Sequence, residues 1–129
     1  RHSALQYQDL VVLSVSFVLK PEEQQIIEAK MADFSRRRRT KQPLDYPSAG
    51  STFKRPFGHY AAALIDEAGL KGMRVGDAMV SPKHAGFVIN CGKATARDTL
   101  LLMRSIEDKV FAKSGVRLEP EVMIIGEDV

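Results

Sequence analysis

The sequence predicts an α+β fold, a small antiparallel sheet with helices packed on one face. Three observations carry this expectation. The chain has 129 residues, 44% of them hydrophobic, which fits one domain or one domain with a stub of another. Three segments repeat apolar residues at helical spacing, and four others read as short strands. Their order is strand, helix, loop, helix, two strands, helix, strand, for which a helix-covered antiparallel sheet is the economical packing.

Taken in order, Val11, Leu13, Val15, Phe17 and Leu19 alternate with their neighbours at a period of two, so residues 10–19 are expected to be a strand. Pro21 ends that ladder and opens a helix over about 22–39, with Glu22 and Glu23 in its first turn and Ile27, Met31 and Phe34 as its apolar stripe. Arg36 to Arg39 fall at its C-terminal end, where positive charge is favourable. From Thr40 to Gly58, prolines and glycines break any helix, leaving a loop with at most a short strand. Ala61, Leu64, Ile65 and Ala68 share one face of a helix over 59–68, stopped by Gly69. Val75 to Val80 and Ala85 to Ile89 read as two strands around the turn Ser81-Pro82-Lys83-His84. Thr95 with Asp98 forms a capping pattern for a helix ended by Gly115, with Leu102, Ile106 and Val110 as its stripe. Val116, Leu118, Val122 and Ile124 suggest a last strand, with Pro120 placing part of it on an edge.

Composition narrows the function. Hydrophobic residues at 44% and charged residues at 27% are ordinary values for a soluble folded domain, which excludes a disordered tail, a collagen-like fibre and a disulfide mini-protein. No apolar run approaches the roughly 18 residues that read as a membrane span. Cys91 is the single cysteine and cannot form an intrachain disulfide, so a reducing cytoplasm is expected. His2, His59 and His84 are too scattered to predict a metal site. Opening at Arg1-His2-Ser3 without an initiator methionine or signal peptide, the chain reads as a piece of a longer protein.

The net charge of +3 is unevenly placed. Residues 36–55 carry seven cations against the single acid Asp45, a local +6, leaving −3 for the remainder. Such a segment implies an anionic partner: a nucleic acid, a phosphate-bearing small molecule or an acidic protein. Aromatic stacking platforms for a nucleic acid are scarce at 7% aromatic residues and no tryptophan. Within the segment, Gly50 permits a special backbone conformation beside the hydroxyls of Ser48, Ser51 and Thr52 and the cations Lys54 and Arg55. This turn could hold a phosphate or present a hydroxyl; an ordinary polar loop explains the same residues. It matches neither a Walker A loop nor a nucleophile elbow. Glu121 shares its alternating face with Met123 and Ile125. A carboxyl enclosed by apolar neighbours would favour its protonated form, whereas one on an open edge would simply reach water.

Several segments together resemble the UDP-N-acetylenolpyruvoylglucosamine reductase family of peptidoglycan precursor synthesis. They are Arg1-His-Ser3, Pro47-Ser-Ala-Gly-Ser-Thr-Phe-Lys-Arg-Pro56, Ala68-Gly-Leu-Lys-Gly72, His84-Ala-Gly-Phe-Val-Ile-Asn90 and Leu118-Glu-Pro-Glu-Val-Met-Ile-Ile-Gly126. The resemblance implies a shorter, loop-lacking member, with residues 1–20 ending a flavin-binding domain and 21–129 forming the C-terminal substrate-binding domain. It implies a full-length oxidoreductase that uses FAD and NADPH to convert UDP-N-acetylglucosamine enolpyruvate to UDP-N-acetylmuramate. Most of the FAD site and the partner flavin domain would lie upstream of this chain, so the fragment alone would be inactive. By matching positions, Ser51 corresponds to the family's proton donor, and Glu121 and Arg1 to its catalytic glutamate and arginine. Lys41, Gly50, Arg55, Lys71 and His84 correspond to substrate-binding positions, with Arg55 standing where other members have asparagine and His84 where some have glutamine. The same reading expects no nucleic acid and no membrane; its rival is a non-enzymatic basic module that binds nucleic acid or an acidic protein through Arg36 to Arg39.

Overall fold

A computed structural model describes residue 5 and residues 7–126. The chain divides into two compact units, Arg1–Asp33 and Phe34–Val129. Its described elements are α1 (Gln24–Lys41), β1 (Ser48–Ser51), α2 (Ala61–Glu67), β2 (Arg74–Val75), β3 (Ala78–Val80), β4 (Phe87–Asn90) and α3 (Ala96–Ser114). The four strands form one antiparallel sheet in the order β1-β4-β3-β2. The α+β expectation therefore holds.

In the second unit, the core lies between the sheet and two helices. Leu64 and Ile65 of α2 pack with Leu102, Ile106 and Val110 of α3 against Ala78, Val80 and Val88 of the sheet. Ile65, Leu102, Ile106 and Val110 have no exposed surface, and burying each is worth about 1.5–3 kcal/mol. Strand alternation turns Phe87 and Ile89 to the face opposite Val88, and both are buried there as well.

The α3 boundaries follow the sequence closely. Thr95 Oγ1 accepts from Asp98 N–H at 3.1 Å, and Asp98 Oδ2 accepts from Thr95 N–H at 2.9 Å, the reciprocal bonds of a capping box. The Thr95 N–H and the Thr95 hydroxyl both donate to that carboxylate and hold the Asp98 carboxyl below its ordinary range. At the other end Gly115, at φ 71°, donates to Phe111 O and closes the helix.

Four expectations need correction. Residues 10–19 are not a strand: Leu13 is 93% and Phe17 80% exposed, and no described strand pairs with them. Alternation marks a face that can be buried, but a strand forms only where a neighbouring edge takes its N–H and C=O groups. Helix α1 begins at Gln24, after both acids, and Ile27, Met31 and Phe34 stay exposed, so its stripe packs into no core. Residues 75–80 are not one strand but a hairpin, β2 and β3, turning at Gly76-Asp77. A Gly-Asp pair between apolar residues is a two-residue hairpin signal, which splits the run at its second residue. Finally, the last strand shrinks to a single bridge between Phe53 and Pro120. Pro120 has no N–H to extend a ladder, and Met123 and Ile125 beyond it are 88% and 87% exposed.

Candidate functional site

Strand β1 carries the hydroxyl-rich turn at the edge of the sheet. Ser48 faces Ile89 and Ser51 faces Phe87, so three steps along β1 match two along β4. The extra residue is a bulge. Gly50, at φ 85°, takes up the turn, and a side chain there would meet no atom within 4 Å. The bulge brings Ser51 to an open cleft of about 540 Å³ shared with Arg38, Gln42, Tyr46 and Phe87.

Directly after Ser51 the chain is locked. Thr52 N–H donates to Gly86 O at 2.9 Å, Lys54 N–H to Glu119 O at 2.8 Å, and Glu121 N–H to Thr52 O at 2.9 Å. Lys54 Nζ also pairs with Glu119 at 3.1 Å. The serine-bearing and glutamate-bearing segments, 70 residues apart by their numbers, thus become backbone neighbours. Sequence reasoning singled out both but had no means of joining them.

The other candidates are less closely gathered. Lys41 is exposed at the end of α1, next to Gln42 of the Ser51 cleft. His84 lies edge-on to Phe87, with ring centroids 4.9 Å apart. Its Nδ1 accepts from Gly86 N–H at 3.2 Å, which leaves Nε2 to carry the proton in the neutral ring. Lys83 Nζ reaches Arg39 O at 2.5 Å and ties this turn to the end of α1. Arg55 belongs to a second cleft, of about 400 Å³, with Phe57, His59 and Arg117. Its guanidinium stacks 3.9 Å over the Tyr60 ring, so its plane is already oriented. Lys71 follows α2 and is paired with Asp66 at 2.5 Å. Glu121 is exposed, so this chain does not supply the apolar enclosure that its alternating neighbours suggested. Arg1 lies outside the described residues.

Residues missed from the sequence also line these clefts. Arg38 and Tyr46 flank Ser51, and Arg117 joins Arg55 while stacking 4.3 Å over Phe111. The signal for Arg38 was present in the local +6 charge; Arg117 had none, because only the fold brings it beside Arg55.

Among the described residues no group of His, Cys, Asp and Glu could hold a metal ion, and no helix is long and apolar enough to cross a membrane. No buried side-chain N or O atom among them lacks a partner.

Comparison with known proteins agrees with this arrangement. Residues 42–125 match the family model described as UDP-N-acetylenolpyruvoylglucosamine reductase, C-terminal domain. A Streptococcus pneumoniae protein (strain Taiwan19F-14) named UDP-N-acetylenolpyruvoylglucosamine reductase is 53% identical over 129 residues, covering 100% of this chain and 41% of its own length. Its counterpart in strain Hungary19A-6 is 54% identical over 127 residues, 98% of this chain and 42% of that protein. The crystal structure of UDP-N-acetylenolpyruvylglucosamine reductase from Thermus caldophilus superposes with a TM-score of 0.66 at 41% identity, over 79% of this chain and 35% of that one. The chain thus spans about two-fifths of the length of these curated relatives. Matched over most of its length and with both motifs joined at one edge of the sheet, the chain belongs to the UDP-N-acetylenolpyruvoylglucosamine reductase family, as its C-terminal domain.

Proposed function

We propose that this chain is the substrate-binding part of a cytoplasmic oxidoreductase that converts UDP-N-acetylglucosamine enolpyruvate to UDP-N-acetylmuramate. The full-length protein uses FAD, most of whose site lies in the remainder of the protein, and NADPH, which supplies the reducing equivalents. The observation that carries the reading is the joining of the Ser51 and Glu121 segments through Thr52. Two polar groups of different chemistry then stand on adjoining backbone, as proton transfer beside a carboxylate requires.

Ser51 donates a proton to the carbon that bears negative charge during reduction. A free hydroxyl is a weak acid, so its role depends on placement, and the bulge at Gly50 beside it supports this reading. Glu121 and Arg1 contact the substrate carboxylate, where hydrogen bonds that strengthen as charge develops lower the barrier. Lys41, Arg55 and Lys71 meet the diphosphate and nearby sugar groups, Gly50 lets the backbone approach, and His84 donates from Nε2. A ligand bearing a diphosphate and a carboxylate accounts for the local +6 charge. The rival basic module would rest on the arginine run alone, and Arg38 of that run lines the Ser51 cleft.

Ser51→Ala in the full-length protein tests the reading. Reduction of the flavin by NADPH should survive, while its reoxidation by the enolpyruvyl substrate should fall by about 100-fold or more, the range for loss of a positioned proton donor. Unchanged reoxidation would remove Ser51 from the reaction.

A further inference from the structure

We infer that Thr52 is a positioning residue whose buried hydroxyl holds Ser51 and Glu121 in register across the β1 bulge. The inference rests on the roles proposed above for those two residues. Where β1 runs three steps against two of β4, the ladder falls out of phase between Ile89 and Phe87. Val88 lies between them, and its N–H donates to Thr52 Oγ1 at 3.0 Å. Thr52 is only 4% exposed, so water cannot take over that bond. The same residue donates its N–H to Gly86 O and accepts at its C=O from Glu121 N–H, both at 2.9 Å. Through its side chain and its own N–H and C=O, Thr52 thereby connects Val88 of β4, Gly86 and the backbone of Glu121.

The hydroxyl has a task that its methyl neighbour cannot perform. Valine has nearly the same shape but no acceptor, so the buried bond from Val88 N–H to this side chain would be lost. The cheapest relief is for β1 to slide or lift from β4, and that motion carries Ser51 and the partner of Glu121 with it. A displacement of about 1 Å in a reacting geometry can cost a factor of about 100 in rate. Ground-state affinity depends on contacts spread over both clefts and is much less sensitive to that movement.

The test uses the full-length enzyme with Thr52→Val, Thr52→Ser and Ser51→Ala, following flavin reduction by NADPH and reoxidation by the enolpyruvyl substrate separately. Thr52→Val is expected to slow reoxidation by about 10- to 100-fold, with little change in the substrate concentration for half-saturation and none in the NADPH step. Thr52→Ser keeps the acceptor and should recover most of the rate. If Thr52→Val does not fold, Thr52→Cys, with a far weaker acceptor of similar size, takes its place under the same criteria. A wild-type reoxidation rate in the hydroxyl-free variant, or a serine variant as slow as it, would overturn the inference. If Ser51→Ala slows reoxidation while Thr52→Val does not, only the positioning role falls. If Ser51→Ala has no effect, the proton-donor reading fails and the inference fails with it.

Discussion

Gly50→Ala tests the backbone requirement of the bulge through its effect on stability. Gly50 sits at φ 85°, in the region that favours glycine, and an added Cβ would meet nothing within 4 Å. No steric clash therefore contributes, and the whole effect is conformational. Holding an L-residue in the left-handed region costs about 1–2 kcal/mol. Replacing glycine also removes freedom from the unfolded chain, which offsets about 0.4–1 kcal/mol of that cost. A net loss of about 1 kcal/mol remains, which lowers the melting temperature of a domain of this size by several degrees. Thermal unfolding of the substituted protein, read beside its substrate-driven reoxidation rate, is the assay. Stability falls whether or not β1 relaxes; the rate falls with it, because the added Cβ stands where the backbone is proposed to approach substrate and, if β1 relaxes to relieve the strain, Ser51 moves as well. A rise in melting temperature would refute the reasoning, because alanine stabilises where the backbone angle suits it.

Calorimetric titration of the full-length protein with UDP-N-acetylglucosamine enolpyruvate should show binding weakened about 10-fold by Lys41→Ala, in line with loss of a hydrogen bond from a charged donor. Lys71→Ala should matter less, since Asp66 already pairs with that ammonium; equal losses would mean that the pair opens on binding. Thr95→Ala removes one half of the α3 capping box and should cost about 1 kcal/mol in denaturant titrations; an unchanged midpoint would mean the cap is not formed in solution. The Asp98 carboxyl is held below its ordinary range by Thr95, so its contribution is fully present above the unfolded value of about 3.9 and is lost as pH falls through the folded one. Asp98→Asn should flatten that acid limb of the stability profile, and an unchanged limb would assign it to other carboxylates.

The sequence by itself determined the parts of this protein that depend on neighbours a few residues away. Thr95, Asp98 and Gly115 mark both ends of α3 because capping bonds close within one turn. Leu64, Ile65, Leu102, Ile106 and Val110 declared the core through helical spacing alone. The hydroxyl-rich turn and the glutamate were legible as separate motifs, since each is a short run of particular residue types. Tertiary structure decided what depends on partners distant along the chain. Residues 10–19 have a strand's alternation without an edge to pair with, and residues past Pro120 lose their ladder for want of an N–H. The encounter of Ser51 with Glu121 is of the same kind. Their segments meet because a one-residue bulge puts β1 out of phase with β4 and Thr52 bonds to both sides of the break. Register is a relation between two strands, and no local pattern in either strand contains it.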